Sequence, residues 1–445
     1  MKIIVIGGIA AGMSAVAKAQ RLLPEATFIV YEKSNLVSFG ACGLPYYVGG
    51  FFDDPAEMLA RRKEDFEKKG VKVNTQHEVL SVNPNEKKLT VKNLVTGAVF
   101  TETYDRLMIA TGAHPVMPPF NNHEGKENLF FLRTMTDGEN IKKYLLQPDV
   151  KKVTIIGAGF IGLELVEAMK NRGKEVTVVQ LDERVMPEIF DPEFSTIIQD
   201  EIVKEGVALH LSESVQGFIG EKKITTVVTN KGELATDLVI VSTGVRPNTA
   251  FLKDTGLNLA KNGAIIINHQ GQTNLPAIYA AGDCATIPHL VTGEAVYSPL
   301  ATVANKMGRI VGENLAGQEA SFAGTLGTSG LKVLTMEAAR TGLNLKEAQA
   351  AGFNAKEVLI KDKNQTSYYP DQQDLFIKLV YEATTKRILG GQIAGKKGAV
   401  LRIDVLAVAI TKGMTTEELG FLDVVYAPPF ARTWDALNIA GNVAK

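Results

Sequence analysis

Two kinds of apolar pattern alternate along the chain. Short unbroken runs of β-branched residues, as in "KIIVIGG" from Lys2 and "KVTIIGAG" from Lys152, lead into glycines and then into stretches with helical apolar spacing. A run without polar alternation suits a parallel strand covered on both faces by crossover helices. "LMIATGAHP" (Leu107–Pro115) and "LVIVSTGVRPN" (Leu238–Asn248) add a further buried strand to each half, and each strand ends in Thr-Gly. "TNLPAIYAAGDCA" from Thr273 runs through another strand to Gly282 and Asp283. From about Ser321 the pattern changes. "DLFIKLVYEATTKRILGGQIAG" reads as two strands around a polar turn, and "RIDVLAVAITKG" as an amphipathic helix.

The first two halves echo one another: "KIIVIGGIAAGMSAVAKAQRL" is matched by "KVTIIGAGFIGLELVEAMKNRG". In the second copy Gly157, Gly159 and Gly162 fit G-x-G-x-x-G between strand and helix. The first glycine permits the turn, the second lets a pyrophosphate approach the backbone, and the third lets helix and strand pack closely. The phosphates then face the helix N-terminus, where free N–H groups and the dipole favour anions. In the first copy Gly7 and Gly12 are in place, but Ile9 takes the middle position and Gly8 precedes it. Glu32 closes the following strand where a ribose-binding acid is expected; in the second copy that position is Gln180, followed by Leu181, Asp182 and Glu183. The plain alternative for either glycine set is a tight strand–helix turn with no ligand.

At 445 residues the chain exceeds a single core, and two or three domains are expected. An apolar content of 45% with 22% charged residues fits a globular protein, and a net charge of -1 gives no field for nucleic acid or an anionic membrane. No stretch reads as a secretory signal or a bilayer span. Two cysteines cannot make a disulfide framework, so a reducing cytoplasm is the expected setting; no metal site is expected.

With both nucleotide patterns, both Thr-Gly strand ends and "YAAGD" in order, the chain resembles the flavoprotein pyridine nucleotide–disulfide oxidoreductases over essentially its whole length. The resemblance implies an α/β fold of two Rossmann-like dinucleotide-binding domains plus a C-terminal α+β dimerisation domain. FAD would occupy residues 1–112 and 245–320, NAD(P)H the inserted 113–244, and residues 321–445 would pair two subunits into a homodimer. FAD contacts are implied for Gly7, Gly8, Ala11 and Gly12, for Glu32, Lys33 and Ser38, and for Thr111 and Gly112. Gly282, Asp283 and the "PLA" segment Pro299, Leu300 and Ala301 complete that set, with Asp283 on the ribityl chain. NAD(P)H contacts are implied for Gly157, Gly159, Phe160, Ile161 and Gly162, and for Gln180 and Gly244. Phe160 matches an aromatic that covers the flavin until nicotinamide displaces it, and core packing is the alternative.

"SFGACGLPYY" carries Cys42 without the second cysteine of the C-x-x-x-x-C members, and so resembles the single-cysteine branch of NADH peroxidases, NADH oxidases and coenzyme A-disulfide reductases. The histidine that peroxidases carry in the first glycine turn is replaced by Ala10. "SFGACGLPY", "SYYP" (Ser367–Pro370) and "YAPPFARTWD" (Tyr426–Asp435) look most like the coenzyme A-disulfide reductases. That resemblance implies that Tyr368, Tyr369 and Phe430 reach the partner subunit's active site, and that Arg21 and Lys69 hold coenzyme A phosphates. For those two cations, solvated surface charge is the alternative. Phe430 lacks the hydroxyl common in that branch and matches members described as both reductase and NAD(P)H oxidase. Ala41 replaces an asparagine seen in some reductases.

A lone thiol beside a flavin can form a mixed disulfide with its substrate or cycle through a sulfenic acid, and both routes need the thiolate. Pro45 suits a first helical turn, which puts Cys42 at a helix N-terminus that favours an anion, with Ser38 close enough to donate a hydrogen bond. A buried structural cysteine is the plain alternative, and it is the reading preferred for Cys284. Three functions follow: a coenzyme A-disulfide reductase with NADH oxidase activity, a dedicated water-forming NADH oxidase, or a flavin redox sensor without turnover. The neutral Gln180 neither binds a ribose hydroxyl as a carboxylate would nor pairs a 2′-phosphate as arginine would, so NADH use with tolerance of NADPH is expected. Steady-state kcat/KM ratios should stay within about a thousandfold, on the order of 4 kcal/mol; a larger ratio contradicts the neutral-residue argument.

Overall fold

The computed structural model describes all 445 residues and contains two copies of one parallel sheet. The first is ordered Ile278–Ala280, Arg106–Ile109, Lys2–Ile6, Thr27–Tyr31, Lys72–Asn74. The second is ordered Leu129–Phe130, Leu238–Val241, Lys152–Ile156, Glu175–Val179, Ala208–His210. Each also carries a three-stranded antiparallel meander, His77–Thr103 in the first and Val215–Ala235 in the second. The echo heard in the glycine turns therefore extends through both folds. The second fold is an insertion: the chain leaves the first along Ala113–Pro115 and returns along the antiparallel Val245–Pro247.

Because central strands such as Ile3–Ile6 and Val153–Ile156 are buried on both faces, they are β-branched throughout, and the one polar residue among them, Thr154, donates its hydroxyl to Thr236 (3.0 Å). One face of the first sheet is covered by the Ala10–Leu22 and Ala301–Leu315 helices, which approach unusually closely. A Cβ on Gly308 would lie 2.4 Å from the Ala11 carbonyl oxygen, and one on Gly312 would lie 2.5 Å from that of Ala15. Ser14 Oγ donates to Asn305 (2.7 Å) and Lys18 pairs with Glu313 (3.0 Å) along the same seam.

The C-terminal unit is a five-stranded antiparallel sheet in the order Ser329–Val333, Met336–Gly342, Ile388–Gly395, Asp374–Glu382, Ala355–Lys363. The predicted strand pair and the predicted helix, Ala399–Lys412, are both present. Ile403, Leu406 and Ile410 pack on the sheet, whereas Leu401 and Val408 on the same helix are exposed.

The insertion's core does not stop at its own boundary. It is continuous with Leu44, Tyr47 and Val48, just after Cys42, and with Leu331, Val333 and Ala338 of the C-terminal sheet. Lys378, nearly fully buried, spans the same junction, binding Asp191 (2.9 Å), Glu193 and Glu357 (3.3 Å). A cation enclosed this way is tolerable only because carboxylates surround it.

The helix seam makes a specific demand. Gly308→Val should force the two helices apart and lower stability by roughly 1–3 kcal/mol. The exposed Lys306→Ala on the same helix should change it by less than about 0.5 kcal/mol, both read from urea unfolding midpoints.

Candidate functional site

The two glycine turns are built alike because the same steric problem recurs. Gly7 and Gly157 have φ of 104° and 103°, and a Cβ on either would strike the neighbouring strand's carbonyl, Ala110 O at 2.1 Å or Ser242 O at 2.5 Å. A Cβ on Gly12 would lie 1.9 Å from Gly7 O, and one on Gly162 would lie 2.0 Å from Gly157 O. Gly159 differs: an added Cβ would meet nothing within 4 Å. No protein contact requires glycine there, and the open space lies where a ligand's backbone approach would need it. Both following helices begin without a capping side chain or an acid in the first turn. Helices at Met135, Leu345 and Ala436 are capped by Thr134, Asn344 and Asp435. The uncapped ends behind the glycine turns are suited to a phosphate, and the two cradles fit dinucleotides.

Around the first turn, buried Glu32 accepts the Gly8 N–H (2.6 Å) and the Ser34 N–H (2.7 Å). Lys33 points away and pairs with Glu78 (2.7 Å). Thr111 donates its hydroxyl to Asn248 O (2.8 Å), and Asn248 returns a bond to Thr111 O (2.9 Å), joining the Thr-Gly strand end to the returning linker. Asp283 is paired by Arg133 (2.9 Å), and the Tyr297 hydroxyl donates to the Asp283 carbonyl (3.0 Å). Pro299, Leu300 and Ala301 form the uncapped start of the Ala301–Leu315 helix.

Cys42 sits in a 3-10 turn, Ala41–Gly43, that runs into the short helix Leu44–Gly49 with Pro45 in its first turn, as predicted. The helix rests on the insertion rather than on its own sheet. A Cβ on Gly49 would lie 2.9 Å from Ala168, while Asn171 Nδ2 and Arg172 Nε cap its C-terminus through Gly49 O (2.8 Å) and Val48 O (3.0 Å). Cys42 is exposed, and Cys284 is fully buried against Ile109 and Ala281 carbonyls, as its packing reading requires.

Two expectations for the thiol need correction. Although the residue is exposed, partial desolvation by the surrounding chain chiefly pushes the Cys42 thiol up, the Glu164 and Asp283 carboxylates add to that, and Arg133 opposes them. That direction runs against the thiolate expected from the N-terminus of the Leu44–Gly49 helix. Ser38 does not donate its hydroxyl to Cys42. Its role is in the backbone: at φ 54° it donates its N–H to Gly8 O (2.8 Å) and accepts from Ala60 N, bracing the Cys42 loop against the glycine turn.

Tyr368 (72% exposed) and Phe430 (65%) lie on the C-terminal unit with Tyr369, and no hydrogen bond or ion pair joins them to Cys42 of the same chain. A pocket of about 420 Å³ there is lined by Lys363, Tyr368, Tyr426, Arg432 and Trp434. Tyr426, which sequence reasoning did not single out, meets Tyr368 hydroxyl to hydroxyl at 2.9 Å. Arg21 and Lys69 are exposed and form no ion pair. Two further residues near Cys42 were missed. Glu164 is a carboxylate set in the buried run "FIGLELVEAM", and Arg133 directly precedes the Thr134 cap. Their signal was a charge placed where the apolar pattern calls for none.

Burial raises Glu164 to about 7, against a partial opposing effect from the Tyr46 hydroxyl. The folded chain therefore keeps a proton that the unfolded chain releases near 4.5, and stability falls as pH rises between those values. Glu164→Gln should flatten that fall, on the order of 2 kcal/mol between pH 4.5 and 7, as read from denaturation midpoints across the window.

Known proteins share this arrangement. The pyridine nucleotide-disulphide oxidoreductase family pattern matches residues 1–308, and the same family's dimerisation domain matches 328–437. An NADH oxidase of Enterococcus faecalis is 36% identical, covering all of this chain and 99% of that protein. An NAD(P)H coenzyme A polysulfide/persulfide reductase of Pyrococcus horikoshii is 37% identical, covering all of this chain and 98% of that protein. The crystal structure of reduced Bacillus anthracis CoADR-RHD superposes with a TM-score of 0.95 at 34% identity, over all of this chain and 80% of that one. With the duplicated dinucleotide cradles, the inserted second fold and the solitary cysteine between them, this chain belongs to the pyridine nucleotide-disulphide oxidoreductases.

Proposed function

We propose that the protein oxidises NAD(P)H and delivers the electrons through Cys42 to a small acceptor, coenzyme A disulfide first, with oxygen as a second acceptor. The observation that carries this reading is the position of Cys42: an exposed thiol with no cysteine partner, at the seam between a loop of the first fold and a helix of the second. The first cradle, with Glu32, Thr111, Gly282 and Asp283, would hold FAD, and the second, with Phe160 and Gln180, the nicotinamide nucleotide. Bound FAD supplies a carrier for the electron pair between nicotinamide and sulfur.

The Cys42 thiolate attacks one sulfur of coenzyme A disulfide. That S–S bond breaks, a Cys42–coenzyme A disulfide forms, and one coenzyme A thiolate leaves. Two electrons then cleave the new bond, restoring the Cys42 thiolate and releasing the second coenzyme A. In sum, NADH, one proton and the disulfide become NAD⁺ and two thiols. Because burial and nearby carboxylates raise the Cys42 thiol, its ionisation depends on the opposing charge of Arg133. The protonated fraction of Glu164, whose charge acts on Cys42, would supply a proton. In a homodimer with shared sites, the exposed Tyr368–Tyr426 hydroxyl pair would serve the other subunit's thiol and supply the hydroxyls that Phe430 lacks. Arg21 and Lys69, unpaired cations, would meet coenzyme A phosphates. A reducing cytoplasm suits two unbridged cysteines. The relative named NADH oxidase supports a second reading, in which oxygen is the principal acceptor.

NADH oxidation followed first in air without disulfide, and then with coenzyme A disulfide under argon, separates the two. The proposal expects turnover under argon that Cys42→Ser abolishes, by at least about a thousandfold. Fast oxygen uptake with no anaerobic turnover makes the protein an oxidase. A serine variant reducing the disulfide at full rate removes Cys42 from the mechanism.

A further inference from the structure

We propose that Asp182, held in place by Gln180, reads the adenosine ribose of the nicotinamide nucleotide and selects the form without a 2′-phosphate. The inference rests on the reading of the second cradle as the NAD(P)H site, and it locates specificity in a residue that the neutral-Gln180 expectation passed over.

The duplicated fold provides the comparison. In the first copy one oxygen of Glu32 accepts the N–H of Gly8, the residue after the first glycine of the turn, and the other accepts the Ser34 N–H. In the second copy Gln180 Oε1 makes the first of these bonds, accepting the N–H of Ala158, the residue after Gly157, at 2.8 Å. An amide has only one oxygen, so the second bond is reversed: Gln180 Nε2 donates to Asp182 Oδ2 at 2.7 Å. The glutamine thus preserves the brace of the glycine turn while the negative charge moves two residues along.

Both residues are pinned through the backbone. Gln180 N–H donates to His210 O (2.8 Å), and Gln180 O and Asp182 O accept from Glu213 N (3.0 Å) and Ser212 N (2.9 Å). Gln180 is buried, whereas Asp182 is exposed just past the C-terminal end of the Glu175–Val179 strand, where this fold class presents a ribose. Asp182 Oδ1 has no protein partner and is free to accept from a ribose hydroxyl. Arg184, two residues on, donates to Pro187 O (3.2 Å) and lies 3.7 Å from Glu183. A 2′-phosphate arriving here meets a fixed carboxylate, which should disfavour it by roughly tenfold to a few hundredfold.

Calorimetric titration of the FAD-loaded protein with ADP-ribose and with 2′-phospho-ADP-ribose tests this without turnover. The wild type should prefer ADP-ribose at least about tenfold. Asp182→Asn should bring the two dissociation constants within about threefold, mainly by tighter binding of the phosphorylated probe. Gln180→Leu should do the same although Asp182 remains, and its effect on NADH turnover should fall on KM rather than kcat. Gln180→Glu, which keeps the Ala158 bond and adds a charge, should retain the preference. Flavin absorbance and melting temperature serve as fold controls. An unchanged ratio in Asp182→Asn, or a wild type that binds both probes equally, overturns the inference while leaving the NAD(P)H reading intact if NADH still bleaches the flavin. A wild type that binds neither probe and is reduced by neither NADH nor NADPH overturns both.

Discussion

Everything in this protein is arranged around the contact between residue 12 and Gly7, and its repeat between residue 162 and Gly157. At those points helix and strand approach so closely that an added Cβ would overlap a carbonyl oxygen. That closeness fixes where each helix begins, and it leaves the helix start uncapped and facing outward. An uncapped N-terminus is a poor end for a surface helix but a favourable one for an anion. The helices at Met135, Leu345 and Ala436 are closed by Thr, Asn and Asp, whereas both cradle helices start open.

The redox loop gains its position from the second cradle's fold. The Leu44–Gly49 helix lies early in the chain, yet its apolar residues belong to the insertion's core and its last carbonyls are capped by Asn171 and Arg172. The exposed thiol is therefore held between one nucleotide fold that precedes it and another that follows it. The Lys378 cluster and the shared apolar core extend the same continuity into the C-terminal sheet. With the junctions packed in this way, the insertion is part of the scaffold of the sulfur site.

Charge around Cys42 is balanced rather than permissive. Two carboxylates and burial favour the thiol, one arginine favours the thiolate, and Glu164 titrates near neutrality. Such a set leaves proton occupancy responsive to whatever occupies the adjacent cradles, since a neighbouring charge shifts all these groups together. The Tyr368–Tyr426 pair brings two hydroxyls to an exposed surface of the C-terminal unit.

Local pattern determined much of this protein. Unbroken apolar runs ending in glycine specified the parallel strands, Pro45 the start of the short helix, and the solitary cysteine the kind of chemistry to consider. These were readable because each depends on sterics or hydrophobic period within a few residues. The tertiary structure decided what depends on distant partners. It pushed the Cys42 thiol up through desolvation first and then Glu164 and Asp283, with Arg133 opposing, and it turned Ser38 into a backbone brace. It brought Tyr426 to Tyr368 across 58 positions, and it linked Gln180 to both the glycine turn and Asp182. Electrostatic and hydrogen-bond partners are chosen by the path of the folded chain, and no spacing along the sequence encodes them.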